Sequence, residues 1–238
     1  CMSGDFDPDK VIATIDRYFG GWKSNPNLSR PEYAPVPTLT APTDTTVIGQ
    51  EAENVMLGWK FDRAASLQQD TLNVIAEMLS NGKAGLFDLN LDQKMQYLGG
   101  AAFVYPLAEY SSLIVEGLPK EGQTLEQVRD LMLGEIEKLK RGEFSDDLLP
   151  SVINNMKLDA YKEMEDNDSR ASKFVDAFIN GQEWSDVVGR LDRISHITKQ
   201  QIIDFANRHL LNNYVAVYKR QGVDSTVKKI DKPQITPI

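Results

Sequence analysis

The sequence predicts an α+β fold in which an antiparallel β-sheet carries helices on one face. Residues 54–61 alternate apolar and polar side chains, the pattern of a strand with one face on a core. Residues 122–166 carry two consecutive amphipathic helical patterns, which need a broad apolar surface to lie on. Paired strand-like segments precede a run of helices and one strand follows it, an order typical of α+β proteins.

The two central helices have well-defined predicted ends. Thr124 with Gln127 forms a T-x-x-Q capping box at the start of the first helix, and Gly142 is suited to end it. The second helix should begin near residues 146–147, because Pro150 is tolerated only in a first turn. The apolar side chains fall at three- and four-residue steps, at Leu125, Val128, Leu131, Met132, Ile136 and Leu139 in the first helix and at Val152, Ile153, Met156, Leu158 and Tyr161 in the second.

The first 42 residues predict a helix followed by an extended connector. Asp7 before Pro8 is a strong helix start, and the pair of glycines at 20–21 ends the pattern. Five prolines between residues 25 and 42 fix φ and remove backbone donors, so this stretch should not join a sheet. The first helix is therefore expected to belong to a preceding domain.

The rest of the chain completes the pattern. Ser66 with Gln69 predicts another capped helix, which Asn81-Gly82 ends. The short connection through Pro106 favours antiparallel pairing of the two strands it joins. Further helices are predicted at residues 85–95, 169–180, 185–191 and 198–210, and further strands at 101–105, 110–117 and 214–220.

The overall charge excludes some classes of partner. Among 238 residues, 35 acidic against 26 basic side chains give a net charge of -9, which argues against nucleic acid or an anionic membrane as partner. No apolar run reaches the length of a membrane span. Cys1 is the single cysteine, so an internal disulfide and a multi-thiolate metal site are both excluded.

The sequence carries no self-contained active site. Its only two histidines, His196 and His209, are thirteen positions apart, so neither HExxH nor its inverted form HxxEH exists here. A helix-end role is the simpler interpretation of both. A G-x-S-x-G elbow, a P-loop and a G-x-G-x-x-G loop are also absent. We therefore expect no catalytic and no metal-binding residue in this chain.

Three phrases carry a family resemblance. Residues 3–22 read SGDFDPDKVIATIDRYFGGW, residues 55–87 read VMLGWKFDRAASLQQDTLNVIAEMLSNGKAGLF, and residues 117–149 read GLPKEGQTLEQVRDLMLGEIEKLKRGEFSDDLL. In this order and spacing they resemble the insulinase/pitrilysin family of zinc metallopeptidases, the HxxEH group that includes mitochondrial processing peptidase. The resemblance covers nearly the whole chain and implies α+β domains that pair around a peptide-degrading chamber.

The resemblance places the catalytic centre outside this chain. In the family, the two histidines of HxxEH and a distant Glu hold zinc in the first domain, and the motif Glu acts as general base. Here the first domain is represented only by its end, and the remainder resembles the second domain. The implied division is residues 1–24 as the end of a catalytic-type domain, 25–44 as a Pro-rich connector, 45–222 as a non-catalytic α+β domain, and 223–238 as a linker towards a following domain.

A second departure concerns substrate binding. In relatives whose later domain holds substrate, an arginine and a tyrosine seven residues on form a peptide clamp. Asp92 and Gly99 occupy those positions here, with Tyr97 two residues before the second. The expectation is that this chain has no substrate-binding clamp.

The resemblance thus implies a fragment of a zinc-dependent peptidase that forms a structural chamber wall and is inactive alone. Zinc is expected in the parent protein and not in this fragment. The partners expected are peptide or protein substrates, reached through the parent, and other domains of the same chain. The alternative is an inactive family member that acts as a partner subunit or interaction scaffold. For location, the resemblance alone suggests the bacterial periplasm or envelope.

Overall fold

One five-stranded sheet organises the chain. The computed structural model describes residues 1–29, 31, 33–224 and 226. In chain order the strands are β1 (Thr43–Gly49), β2 (Asn54–Phe61), β3 (Gly99–Pro106), β4 (Ser111–Leu118) and β5 (Val215–Gln221). Their order across the sheet is β1-β5-β2-β4-β3. The β2–β5, β2–β4 and β4–β3 pairs are antiparallel, whereas β1 runs parallel to β5.

Seven α-helices accompany this sheet among the described residues. They are α1 (Pro8–Phe19), α2 (Gln68–Leu79), α3 (Leu125–Arg141), α4 (Leu148–Glu165), α5 (Asn167–Asn180), α6 (Trp184–Ser195) and α7 (Lys199–His209). The predicted α+β class is confirmed, and the parallel β1–β5 pair is an addition that the sequence pattern did not predict.

Helices cover one face of the sheet, which we call the covered face. Val55, Leu57, Trp59 and Phe61 of β2 are buried there, as the alternation predicts. Helix α3 packs on β2 and β4, and α2 packs on β3. Outside them, α7 contacts α3, and α4 and α6 contact α2. The core therefore lies between the sheet and α2 and α3.

The opposite face, which we call the open face, has no helix on it in the described part of the chain. It carries the alternate side chains of the same strands, and these are half-buried or exposed. The largest apolar ones are Met56, Phe103, Tyr105, Ile114 and Val217.

Helix capping agrees with the prediction from the sequence at three helices and differs from it at one. Thr124 and Thr198 each form a complete capping box, and Asp7 accepts bonds from the first turn of α1. At α2 the predicted box does not form, because the Gln69 side chain donates to the Asp62 carbonyl at 3.0 Å instead. Ser66 Oγ still accepts a bond from the Gln68 backbone N–H at 3.3 Å.

The segment predicted as a helix over 85–95 is instead a single π-helical turn, Asp88–Asp92. The Asp88 carboxylate accepts hydrogen bonds from the backbone N–H groups of Lys83 and Gly85 and from the Ser80 hydroxyl. These bonds give partners to the backbone N–H groups of the loop that follows α2, so the chain turns sharply rather than extending a helix. Met95, at φ 49°, completes the reversal before β3.

Gly117 sets how closely α3 approaches the sheet. A Cβ at this position would lie 2.5 Å from Val128 Cγ1 and 3.0 Å from Met132 Sδ. We predict that Gly117→Ala destabilises the fold by about 1–3 kcal/mol through overpacking. The matched control is Gly58→Ala on the open face, where a Cβ meets nothing within 4 Å. Urea denaturation measures both, and equal effects of the two substitutions would contradict this role for Gly117.

Candidate interaction surfaces and the expected catalytic positions

The two histidines lie in different surroundings. The His209 ring lies at the end of α7 against the rings of Phe205 and Phe61, with centroid distances of 4.5 and 5.9 Å. Its Nε2 is 3.4 Å from Gln68 Nε2. His196 follows the last turn of α6 at the surface, with Nδ1 2.9 Å from the Asp192 carbonyl oxygen. Each ring is thus engaged locally at its own helix end.

Zinc, which the family implies for its catalytic members, does not fit these residues. Within the described ranges, no three His, Cys, Asp or Glu side chains are placed to hold a metal ion. The histidines also contact different partners, so they do not form a two-histidine donor set. No chemical step through a metal can be derived from this chain.

The His209 imidazole has a perturbed proton equilibrium. Burial lowers its pKa, the neighbouring Arg208 lowers it further, and Asp62 opposes the change. The charged ring is therefore disfavoured in the folded protein relative to the unfolded chain.

The two positions aligned with the family clamp lie at the π-helical turn and at the start of β3. Asp92 is half-buried at the end of the π-helical turn, and Gly99 is the first residue of β3, paired with Leu118. Burial raises the pKa of Asp92, with Asp88 adding to the rise and the Tyr97 hydroxyl opposing it. The absence of a clamp at these positions stays a prediction.

Tyr97, two residues before Gly99, is buried rather than on the surface. It is 3% exposed, and a Cβ on Gly100 would lie 2.4 Å from its hydroxyl oxygen. Burial, with the Asp92 carboxylate nearby, raises the pKa of the phenol. A side chain enclosed in this way packs the turn against β3.

Sequence reasoning missed three buried carboxylates, Asp70, Asp88 and Glu135. Arg193 Nε lies 2.6 Å from Asp70 Oδ2 and joins α6 to α2. Glu135 on α3 is 2.7 Å from Lys138 Nζ and accepts a bond from Asn90 Nδ2 at 2.7 Å. Each carboxylate is partnered, which is the condition for burying one. Only the Glu135–Lys138 pair has a helical spacing of three residues. The other partners are distant in sequence or lie in a loop, so spacing along the chain carried no signal for them.

Helix α1 exposes most of its apolar side. None of its residues is buried, and Ile12, Ile15 and Phe19 are all exposed. Trp22, just beyond the helix, packs edge-on against Phe19 at 4.9 Å and is otherwise in solvent. An amphipathic stripe of this kind marks a helix whose partner lies elsewhere.

The connector passes over one end of the open face. Lys60 Nζ donates to the Val36 carbonyl oxygen, and a cavity of about 580 Å³ lies between the connector and the strand ends. Its walls include Gly58, Ile114 and Val215 from the open face. This mixed apolar and polar hollow is a candidate contact surface.

No helix among the described residues combines the length and hydropathy needed to cross a bilayer. Three exposed apolar surfaces are candidate functional features: the open face, the stripe of α1 and the outer side of helices α5 and α6.

These features agree with a defined class of protein. The sequence model of the family described as the peptidase M16 inactive domain matches residues 1–156. The chain belongs to this family, and the predicted resemblance to an M16-type, non-catalytic domain is confirmed.

Several solved structures have the same fold as this chain. A protease from Helicobacter pylori superposes with a TM-score of 0.85 at 19% identity, covering 92% of this chain and 54% of that one. A peptidase M16 inactive domain from Pseudomonas fluorescens gives 0.75 at 12% identity, with coverages of 92% and 52%. The periplasmic protease PqqL from Escherichia coli gives 0.69 at 14% identity, with coverages of 91% and 26%.

The chain thus spans about half the length of the first two structures and about a quarter of the third. At these identities the likeness establishes the fold alone. No curated protein sequence matches the chain.

We predict that the lowered pKa of His209 makes stability fall as pH falls. The unfolded chain binds the proton more readily, so stability is full above the ordinary histidine pKa of about 6.5 and declines below it. His209→Gln should flatten the decline between about pH 7 and about pH 5. Urea midpoints across this range measure it.

The control for this prediction is His196→Gln, at the exposed end of α6. An equal flattening in both variants would contradict the assignment to His209.

Proposed function

We propose that this chain is the non-catalytic second-domain region of a zinc-dependent peptidase. It forms part of the wall of a peptide-degrading chamber and supports hydrolysis by an upstream domain that carries HxxEH. The metal and the general base belong to that upstream domain.

The observation that carries the proposal is the uncovered stripe of α1. A 12-residue helix is marginal in water on its own, so most of its stability has to come from packing of its apolar face. None of its residues is buried by the rest of the described chain. A preceding domain that covers Ile12, Ile15 and Phe19 would complete this helix and fix its position beside the sheet.

The open face supports the chamber-wall role. It is a broad surface on which half-exposed apolar side chains such as Met56 and Ile114 alternate along the strands with buried ones. The covered face already supplies the core, so the open face is available to line an enclosed space or to contact another domain.

The proposal extends to location and domain division. It places residues 1–24 with the preceding domain, 25–44 as connector and 45–222 as the non-catalytic domain. The linker assigned to 223–238 lies mainly outside the described residues. A bacterial envelope location is supported only by the one structural neighbour that is named as periplasmic.

The first test compares the parent protein with this chain. Both are assayed on a quenched fluorescent peptide library, before and after treatment with a zinc chelator. The parent should hydrolyse peptides and lose this activity with chelator, and residues 1–238 alone should have none. A parent without HxxEH and without activity would overturn the peptidase proposal and favour the alternative, a partner subunit or scaffold.

The second test addresses α1 directly. Ile12→Asp places a charge on the proposed contact, so we predict at least about a tenfold loss of peptidase activity in the parent. The stability of isolated residues 1–238 should not change, because Ile12 is 62% exposed there.

The matched control is Leu28→Asp, in the connector and 82% exposed, which should leave the activity of the parent intact. Unchanged peptidase activity of the parent with Ile12→Asp would contradict the proposal that α1 packs on the catalytic-type domain.

A further inference from the structure

Helix α5 lies on the outside of the helical layer, and its apolar side does not face the core. Its main packing partners are α4 and α6, Asn167 and Arg170 in its first turn also contact Ser3, and Ala177 is its one buried residue. The apolar side predicted from the sequence, with Phe174, Val175 and Phe178, faces solvent instead. Phe178 is 80% exposed.

The exposed side chains form a continuous surface with α6. The Phe174 and Trp184 rings stack at 4.2 Å with an interplanar angle of 20°. Val188 lies one helical turn beyond Trp184 and is 65% exposed. We name Phe174, Val175, Phe178, Trp184 and Val188 the α5/α6 aromatic surface. Exposed aromatic groups held rigidly by stacking are the usual anchors of protein interfaces.

The charge around this surface is strongly acidic. Residues 159–186 hold eight acidic and three basic side chains, more than half of the net charge of the whole chain. Asp168 lies two helical turns before Val175 on α5, Glu183 directly precedes Trp184, and Asp192 lies one turn beyond Val188 on α6. All three acidic residues are exposed. In the described part of the chain none of the three has a Lys or Arg partner, and Asp192 faces only the His196 ring at 3.9 Å.

We propose that the α5/α6 aromatic surface docks a partner protein through an amphipathic helix whose apolar stripe is bordered by Lys and Arg. The stripe covers Phe178 and the Phe174–Trp184 stack, and the basic border pairs with Asp168, Glu183 and Asp192. Charge complementarity selects this occupant, because a second copy of this chain would bring the same acidic rim against itself. The inference is independent of the proposed peptidase role.

The experiment uses the full chain and three synthetic 14-residue peptides, studied by titration calorimetry. The probe is a Leu/Lys peptide with leucines at helical spacing. The comparison peptides are a Leu/Glu peptide of the same pattern and a scrambled Leu/Lys peptide without an apolar face. The Leu/Lys helix should bind at least about tenfold more tightly than either, and its affinity should fall as salt rises from about 50 to about 500 mM.

Two pairs of variants locate the binding. Phe178→Ser should weaken the Leu/Lys peptide about tenfold, and Leu28→Ser, an equally exposed apolar position in the connector, should not. The triple variant Asp168→Asn, Glu183→Gln, Asp192→Asn should weaken binding of the Leu/Lys peptide. Its control is the triple variant Asp9→Asn, Asp16→Asn, Asp204→Asn, which removes the same charge from α1 and α7 and should weaken binding less. Circular dichroism checks that each variant is folded.

Three results would overturn the proposal. One is equal affinity for the scrambled peptide, which would mean attraction to net charge alone. Another is equal weakening by Phe178→Ser and Leu28→Ser. The third is sedimentation showing that the chain self-associates and that Phe178→Ser abolishes this, which would make a second copy the occupant.

Discussion

The contact between α3 and the centre of the sheet is the constraint on which the rest of the molecule depends. Val128 and Met132 lie against the backbone of β4 at Gly117, so the helix axis sits close to the strands. Once α3 is seated, α2 takes the remaining covered face over β3, and the other helices stack on these two. The apolar side chains of β2 and β4 on that side are buried beneath these helices.

Because helices cover only one face of the sheet, several apolar surfaces remain exposed. With the core complete between sheet and helices, the open face, the stripe of α1 and the outward side of α5 are left without partners in the described residues. Exposure of this extent is uncommon for a self-sufficient domain and is typical of a domain that works inside a larger assembly. The apolar side chains of these three surfaces are thus available for contacts with other domains or proteins.

The strong local patterns of the sequence sufficed for the fold class, the strand faces and most helix ends. The alternation in β2 and the capping boxes at Thr124 and Thr198 depend on neighbours along the chain, so they can be read without a structure. The π-helical turn could not be predicted, because Asp88 organises it through backbone groups of a loop that has no period of its own. The parallel pairing of β1 joins segments at opposite ends of the chain, which no local pattern reports.

For the candidate sites too, some features can be predicted from the sequence and others depend on tertiary structure. The missing HxxEH motif is a property of the sequence and needs no coordinates, since two histidines thirteen residues apart cannot share one helical turn. The burial of Tyr97 and the outward turn of α5 are tertiary facts. Helical periodicity identifies the apolar side of α5 but does not say whether that side meets its own core or another protein.

We propose that this chain supplies architecture for chemistry that occurs elsewhere. Its most direct test is the metal content of purified residues 1–238 after incubation with excess zinc and gel filtration, measured by plasma mass spectrometry. The account predicts zinc far below one equivalent, because neither His196 nor His209 lies in a set of converging ligands in the described residues. One tightly held equivalent of zinc that is lost on substitution of either histidine would contradict it.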